Sequence, residues 1–351
     1  MRVRAAAERL ARAVQQMPDV APDDRSLRAG LLDMIHDCIP FDAHAFLLTD
    51  PTTSVGCSPV AEVPDLSSLP ALIRLKYLTT VNRWTGLPAR GCATLQQTTG
   101  GCPGSSLVWR EYLAALGIVD VASVVFTDRF GWWGFLDLWR REDRFTDDEV
   151  AALSAVRPAI TSRLRRLQAD GFRVADPSPQ HRRPAALILS PGLIIRSRTA
   201  QTDAWLATLI PPEGGRGPIP ASAYNVAAQL LAIEAAVDDH PAQARILLDV
   251  GTWLTLRADR LAGPEPAAAR DIVVTMEASS PTERLDLYSR AHGLTARETD
   301  VLGHLADGCD TRTLARLMSI SDFTVQDHLK SIFTRTLTSS RHELLARALG
   351  R

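Results

Sequence analysis

The chain has 351 residues, 46% of them hydrophobic, enough for two or three packed domains. Its 39 basic and 40 acidic residues nearly cancel, which excludes a global electrostatic pull toward nucleic acid or an anionic membrane, so any such contact must be local. Five cysteines, an odd number spread thinly, exclude a disulfide framework and fit a reducing, cytoplasmic compartment.

The opening MRVRAAAERLARAVQQ is interrupted by Glu8, Arg9 and Arg12, so it reads as neither signal peptide nor membrane anchor. Ser26 is placed to cap a helix whose Leu27, Leu31, Ile35 and Cys38 share a face, and a buried strand is expected over Ala43 to Thr49. A long irregular middle follows, where the uncharged stretch Gly91 to Trp109 reads as a loop and Cys92 and Cys102 as ordinary thiols rather than a metal or redox pair. Val121 to Thr127 and Trp133 to Trp139 form a strand pair, with Asp128 and Gly131 suited to its turn. Thr146 and Glu149 are spaced as a capping box that opens a long helix, whose stripe is Val150, Leu153, Val156, Ile160, Leu164 and Leu167. Pro158 is expected to kink it, since an interior proline removes a backbone donor and crowds the preceding turn. Five of the seven tryptophans, Trp84, Trp109, Trp132, Trp133 and Trp139, lie in this part, where they either fill a core or line a pocket; core filling is the simpler reading.

Residues 169–184, ADGFRVADPSPQHRRP, are rich in proline and read as a linker between a first domain, 1–168, and a second, 185–278. In the second domain Ala185 to Ser190 and Leu193 to Ser197 suggest a hairpin around Pro191 and Gly192. Helical text covers Thr199 to Leu209 and Ala223 to Val237, separated by the loop PPEGGRGPIP, and strands are expected at Ala244 to Val250, Trp253 to Ala258 and Ile272 to Met276. The longest apolar stretch of the chain, Ala185 to Ile195, is far short of the roughly twenty residues that span a bilayer. Residues 279–293 read as a linker helix and 294–351 as a third domain.

That last segment carries the most specific text. Thr295 and Glu298 form a capping box, Val301, Leu302 and Leu305 an inner stripe, and Gly308 a left-handed helix end. Thr311 to Met318 makes a short helix with Leu314, Ala315 and Leu317 turned inward; Ser321 caps the next, which buries Val325, Leu329, Ile332 and Phe333; Ser340 to Leu349 closes the bundle. A short helix, a tight turn and a longer helix with an exposed polar face is the geometry that enters a major groove.

Leu294, Thr295, Arg297, Glu298, Val301, Leu302, Gly308, Ala315, Leu317, Ile320, Ser321, Thr324, Val325, His328, Leu329, Ile332, Ser340, Arg341 and Leu344 stand at the spacing of the LuxR-type helix-turn-helix regulators, which this segment resembles. The resemblance implies that residues 321–336 read DNA, with base-facing positions at Gln326, Asp327 and Lys330. Glutamine suits adenine, lysine guanine or phosphate, and aspartate cytosine alone. Arg312, Ser321, Thr324 and Arg335 are placed for the backbone, which sets register without reading sequence. Leu337 stands where the family usually turns the chain with glycine, so a rebuilt or strained turn is expected. Residues 294–351 hold eight basic and seven acidic side chains, and so small an excess argues for two copies on paired half-sites.

By element order, and by the closing text GFLDLWRREDRFTDDEV, the first domain resembles a GAF-type sensor with a mixed sheet, and the second resembles a small PAS-type domain. The expected whole is a multidomain α+β protein with a C-terminal all-α head, a transcriptional regulator without catalytic residues, metal site or cofactor. Its implied partners are double-stranded DNA, a second copy of the chain and RNA polymerase, with no membrane. An unidentified small-molecule ligand in the front half stays open. The alternative is an interaction or scaffold module whose DNA head is vestigial. Other inputs fit less well: Asp50 follows a strand, but with lysine only at Lys76 and Lys330 a phosphorylated receiver lacks its basic partner, no acyl-lactone constellation is recognisable, and no GxxxxGK[ST] loop occurs.

Overall fold

The computed structural model describes residues 2–17, 23–87, 91–172, 183–209, 219–249 and 251–350. Most of the expected linker, 173–182, and most of the expected PPEGGRGPIP loop, 211–218, lie outside the described residues. The chain divides into two units: Met1–Leu164 with Arg183–Ile246 and Thr255–Glu277, and Arg165–Arg182 with Leu247–Leu254 and Ala278–Arg351. Among the described residues no helix is long and apolar enough to cross a membrane.

The first unit opens with α1 (Arg2–Gln16) and α2 (Asp24–His36). The cap of α2 is Asp23 rather than the expected Ser26: its carboxylate accepts from the Ser26 amide (2.8 Å) and hydroxyl (2.7 Å). Aspartate caps as well as serine, and here it is Asp23 that has the extended backbone a cap requires. Leu27, Leu31 and Ile35 are buried as their spacing predicts, while Cys38 lies past the helix end and is half-buried.

Next come β1 (Ala43–Thr49), β2 (Gly56–Glu62), α3 (Leu69–Leu78), β3 (Cys92–Thr94), α4 (Leu95–Thr98), β4 (Asp120–Asp128), β5 (Gly131–Arg140) and, as far as Leu164, α5 (Asp147–Asp170). The strands form one sheet in the order β2-β1-β5-β4-β3, and its pairs are antiparallel. This corrects the mixed sheet expected of the first domain. Antiparallel pairing follows from β4 and β5 being joined by a two-residue turn, Arg129 and Phe130, since parallel neighbours need a long crossover. Gly131 sits at φ +149°, where an added Cβ would lie 2.4 Å from the Pro51 carbonyl oxygen. The loop expected over Gly91 to Trp109 contains β3 and α4, too short for any periodicity to show, and β2 tolerates Pro59 because it is an edge strand.

The capping box of α5 forms: Glu149 accepts from the Thr146 amide (2.8 Å), and the Glu149 amide donates to the Thr146 hydroxyl (3.3 Å). Val150, Leu153, Val156, Ile160 and Leu164 are buried, Leu167 is half-buried, and helix runs continuously through Pro158. The tryptophans mainly fill the core. Trp84 stacks on Phe135 (4.5 Å) and donates to the Ser54 carbonyl (2.8 Å), Trp133 donates to Asp128 (2.9 Å), and Trp109 to the Ile118 carbonyl (2.8 Å).

The remainder of the unit holds β6 (Ala185–Leu189), β7 (Ile195–Arg198), α6 (Ala200–Leu209), α7 (Ala221–Glu234) and the greater part of β8 (Gln243–Asp249), β9 (Thr252–Arg260) and β10 (Ile272–Ala278). The second sheet has the order β7-β6-β10-β9-β8, which repeats the order of the first strand for strand. Its hairpin turn needs one residue more than expected, because Leu193 takes a left-handed conformation (φ 62°) with its side chain fully buried, and β7 starts at Ile195. Buried ionic contacts join the two stretches of this unit. Arg245 donates to Asp50 through Nε (2.7 Å), Nη2 (2.8 Å) and its own amide (2.8 Å), and Arg83 donates to Asp238 (2.9 Å) and Gln229 (2.8 Å). Asp50, the residue that invites a receiver reading, is thus fully buried and spent on Arg245.

The second unit contains α8 (Pro281–Ala291), α9 (Ala296–Ala306), α10 (Thr311–Met318), α11 (Asp322–Thr336) and α12 (Arg341–Leu349). An aromatic cluster packs within it: Phe172 stacks on Trp253 (4.8 Å) and meets Tyr288 edge-on (5.2 Å), which in turn contacts His292 (4.3 Å). Arg284, 5% exposed, donates to the carbonyls of Gly251 (2.8 Å) and Arg347 (3.1 Å), and burial lowers its pKa to about 10. Burial also pushes His292 down to about 4 and Tyr288 up to about 12.

Candidate nucleic-acid interface

Each helix of the head is set by its caps. Thr295 and Glu298 make the expected reciprocal box at α9, with the Thr295 amide donating to the Glu298 carboxylate (2.7 Å), and Gly308 closes the helix at φ +86°. Asp310 caps α10 by accepting from the Thr313 amide (2.8 Å), and that bond holds its carboxyl below the usual range. Leu314, Ala315 and Met318 face inward; Leu317, expected among them, is 55% exposed. At 3.6 residues per turn Leu317 lies about 100° round the helix from the middle of that trio. Ser319, left-handed at φ 55°, turns the chain, and Ser321 caps α11 by accepting from the Thr324 amide (3.1 Å).

Helix α11 has two unlike faces. Val325, Leu329 and Ile332 are at most 1% exposed and Phe333 is half-buried. Gln326, Asp327 and Lys330 are exposed and, three and four residues apart, share the opposite face. Lys330 Nζ lies 3.6 Å from Asp327 Oδ1, a surface pair worth about 0–1 kcal/mol that does not hold either side chain in place. Gln326 Nε2 reaches the Thr311 hydroxyl (3.5 Å), to which Arg341 donates (2.6 Å). Thr311 and Arg341 were not among the expected site residues. The available signal was that they are the first residues of α10 and α12.

The other expected site residues are placed as follows. Arg312 is exposed, and the Ser321 and Thr324 hydroxyls lie 2.9 Å apart at the start of α11. Arg335 is exposed but engaged within the head: it lies 3.4 Å from Glu298 and donates to the Gly293 carbonyl (3.2 Å). Burial alone would raise the Glu298 pKa, but the Ser331 hydroxyl (2.5 Å), the Thr295 amide and Arg335 together hold it below the usual range. The turn after α11 is not rebuilt. Leu337 adopts the left-handed conformation itself (φ 52°, ψ 43°), with the Leu337 and Thr338 amides returning to the Phe333 carbonyl and the leucine side chain 82% exposed.

Elsewhere among the described residues, Asp238, Asp239 and His240 bring potential metal-ligating atoms within 4.8 Å of one another. Asp238 already accepts from His240, Thr85, Arg83 and Gln229, and against the opposing effect of burial the first three hold its pKa well below the usual range. A carboxylate so engaged is a structural anchor, and the geometry gives no reason to assign it an ion.

Residues 292–348 match the family described as "Bacterial regulatory proteins, luxR family", so this segment is a LuxR-family helix-turn-helix domain. The chain is 33% identical over 81 residues to "Transcriptional regulatory protein DesR" of Bacillus subtilis (strain 168), which is 23% of this chain and 41% of that protein. It is 39% identical over 54 residues to "Monoamine regulon transcriptional regulator" of Klebsiella aerogenes, 15% of this chain and 24% of that protein. The chain therefore spans less than half the length of the curated relatives it matches. Across 99% of its length it aligns with the crystal structure of Escherichia coli SdiA, covering 96% of that chain at 10% identity and a TM-score of 0.35.

Proposed function

We propose that this chain is a sequence-specific DNA-binding transcriptional regulator whose α11 lies in the major groove. The observation that carries the reading is the exposed trio Gln326, Asp327 and Lys330 on a helix whose other face is sealed, within the segment that matches the LuxR family. Gln326 pairs with an adenine edge, Lys330 reaches guanine or phosphate, and Asp327 tolerates only cytosine while repelling phosphates. Arg312, Ser321 and Thr324 contact the backbone and fix register. Arg335 joins them only by giving up Glu298.

Two copies bind a two-fold site, because the head's balance of eight basic to seven acidic residues gives one copy little counterion release. RNA polymerase is the further partner through which such a regulator acts. The front of the chain is a sensory half made of a GAF-like domain, 1–168, and a PAS-like domain, 185–278, linked by 169–184 and joined to the head, 294–351, through 279–293. Its support is that each of the two domains carries a five-stranded antiparallel sheet of the same strand order. A signal received there acts on the packing of α5 and the linkers.

The test is a salt titration of the purified chain on a palindromic duplex. Binding that weakens steeply with salt and is lost in a folded Lys330→Ala variant supports the reading, and a parent chain that binds no duplex at low salt refutes it.

A further inference from the structure

The register of the first sheet leaves a hole. Ser123, Asp137, Ala45 and Ala61 pair in one row across β4, β5, β1 and β2. Neighbouring rows on the same face carry Val121 with Trp139 and Phe135 with Leu47, so the small residues of the middle row sit between bulky ones. Residues of α3 and α7 line that space without filling it, and a cavity of about 390 Å³ remains, within the range of roughly 300–1,000 Å³ typical of small-molecule sites.

Two polar features in the wall say what would fit. Lys76 Nζ lies 2.8 Å from Asp137 Oδ2 and the Ser123 hydroxyl donates to Asp137 Oδ1 (2.6 Å), so this ion pair is balanced within the wall, while Arg25, the other charged residue of the lining, is solvent-exposed and engaged elsewhere. Any net charge brought into this largely apolar space would be left uncompensated. Asn225 of α7, 2% exposed, also lines the cavity, and among the described residues its Nδ2 has no hydrogen-bond partner. Buried amide donors are rarely left unmade, so this one asks for an acceptor from inside the cavity.

We propose that the cavity binds a net-neutral, largely apolar carbonyl compound whose oxygen accepts from Asn225 Nδ2 beside the Lys76–Asp137–Ser123 patch. That this compound is the regulator's signal rests on the function proposed above; that it binds does not. Because Ala221 and Asn225 are on α7 while Ala45, Ala61 and Asp137 are on the first sheet, an occupant contacts both halves of the cavity wall at once.

The test titrates the full chain with 2-octanone, octanoate, octylamine and n-octane by ligand-observed NMR. The ketone is expected to bind at least about ten-fold tighter than either ion, and about five-fold tighter than octane, one net hydrogen bond's worth. Asn225→Leu and Asn225→Asp each bring the ketone down to the level of octane, whose retained binding shows that the variant is folded. Ala61→Phe abolishes binding of all four. The proposal is overturned if octanoate or octylamine matches the ketone, if the ketone's advantage over octane survives in both Asn225 variants, or if the parent chain binds no ketone. Where the variants do not fold, the ranking on the parent chain decides. Duplex binding by the same preparation without probe scores the regulator reading separately.

Discussion

Leu337→Gly should stabilise the head. A non-glycine residue in the left-handed region costs about 1–2 kcal/mol, and Leu337 sits there at φ 52° with 82% of its surface exposed, so shortening the side chain sacrifices little burial. Glycine adds back unfolded-state entropy of roughly 0.4–1 kcal/mol, leaving a net gain of about 0.5–1 kcal/mol. Native-state hydrogen exchange resolves this locally: the protected amides of α11 and α12 should exchange about two- to five-fold more slowly in Leu337→Gly. Leu337→Ala keeps the strained φ and should exchange like the parent. Faster exchange in the glycine variant would refute the reasoning, because it would mean that the leucine side chain makes a contact whose loss outweighs the relief of strain.

His292 should make the second unit sensitive to acid. Its folded pKa is near 4 against an ordinary 6.5, so the unfolded chain takes up the proton first, and the stability this group contributes is complete above pH 6.5 and lost as pH falls toward 4. At pH 5 the loss is about 2 kcal/mol, and the difference in exchange protection between the parent and His292→Phe should shift by that amount between pH 7.5 and 5; a difference that does not vary with pH would contradict it. Asp50→Ala leaves Arg245 buried beside an empty partner position, so the first unit should lose about 3–5 kcal/mol in urea unfolding, while Asp50→Ala with Arg245→Met should recover at least half; equal losses for single and double variants would speak against a desolvated pair. Asp327→Asn removes a weak surface pair and one phosphate-repelling charge, so thermal stability should move by less than about 0.5 kcal/mol while duplex binding tightens. Weaker binding would mean that Asp327 makes a favourable base contact.

The elements legible in the sequence were those with enough length for periodicity: β1, the β4–β5 hairpin, α5, and the helices and caps of the head, where Thr295, Glu298 and Ser321 do what their spacing implies. Short or irregular elements were not. β3 has three residues, β2 contains proline, and α3 has leucine or isoleucine around most of its circumference, so it shows no stripe. Hydrophobic pattern also does not report strand partners, which is why, beyond the β4–β5 hairpin, the pairing of β1 with β2 and β5 and of β3 with β4 emerged only from the structure. In the candidate interface the outward face of α11 follows from its buried stripe, but the pairing of Arg335 with Glu298 and the link from Arg341 through Thr311 to Gln326 are long-range contacts with no local signature. The cavity is the clearest case: Ala45, Ala61, Ser123 and Asp137 are unremarkable until the register aligns them in one row.

Selection of bound duplexes from random DNA by the purified chain tests the central claim most directly. A recurring dyad-symmetric motif is expected, with half-sites about 10–10.5 base pairs apart or a multiple of that, and Gln326→Ala should relax base preference at one position in each half. Enrichment of no motif, or a motif that keeps every base preference when Gln326, Asp327 and Lys330 are all replaced by alanine, would contradict a reading helix at α11.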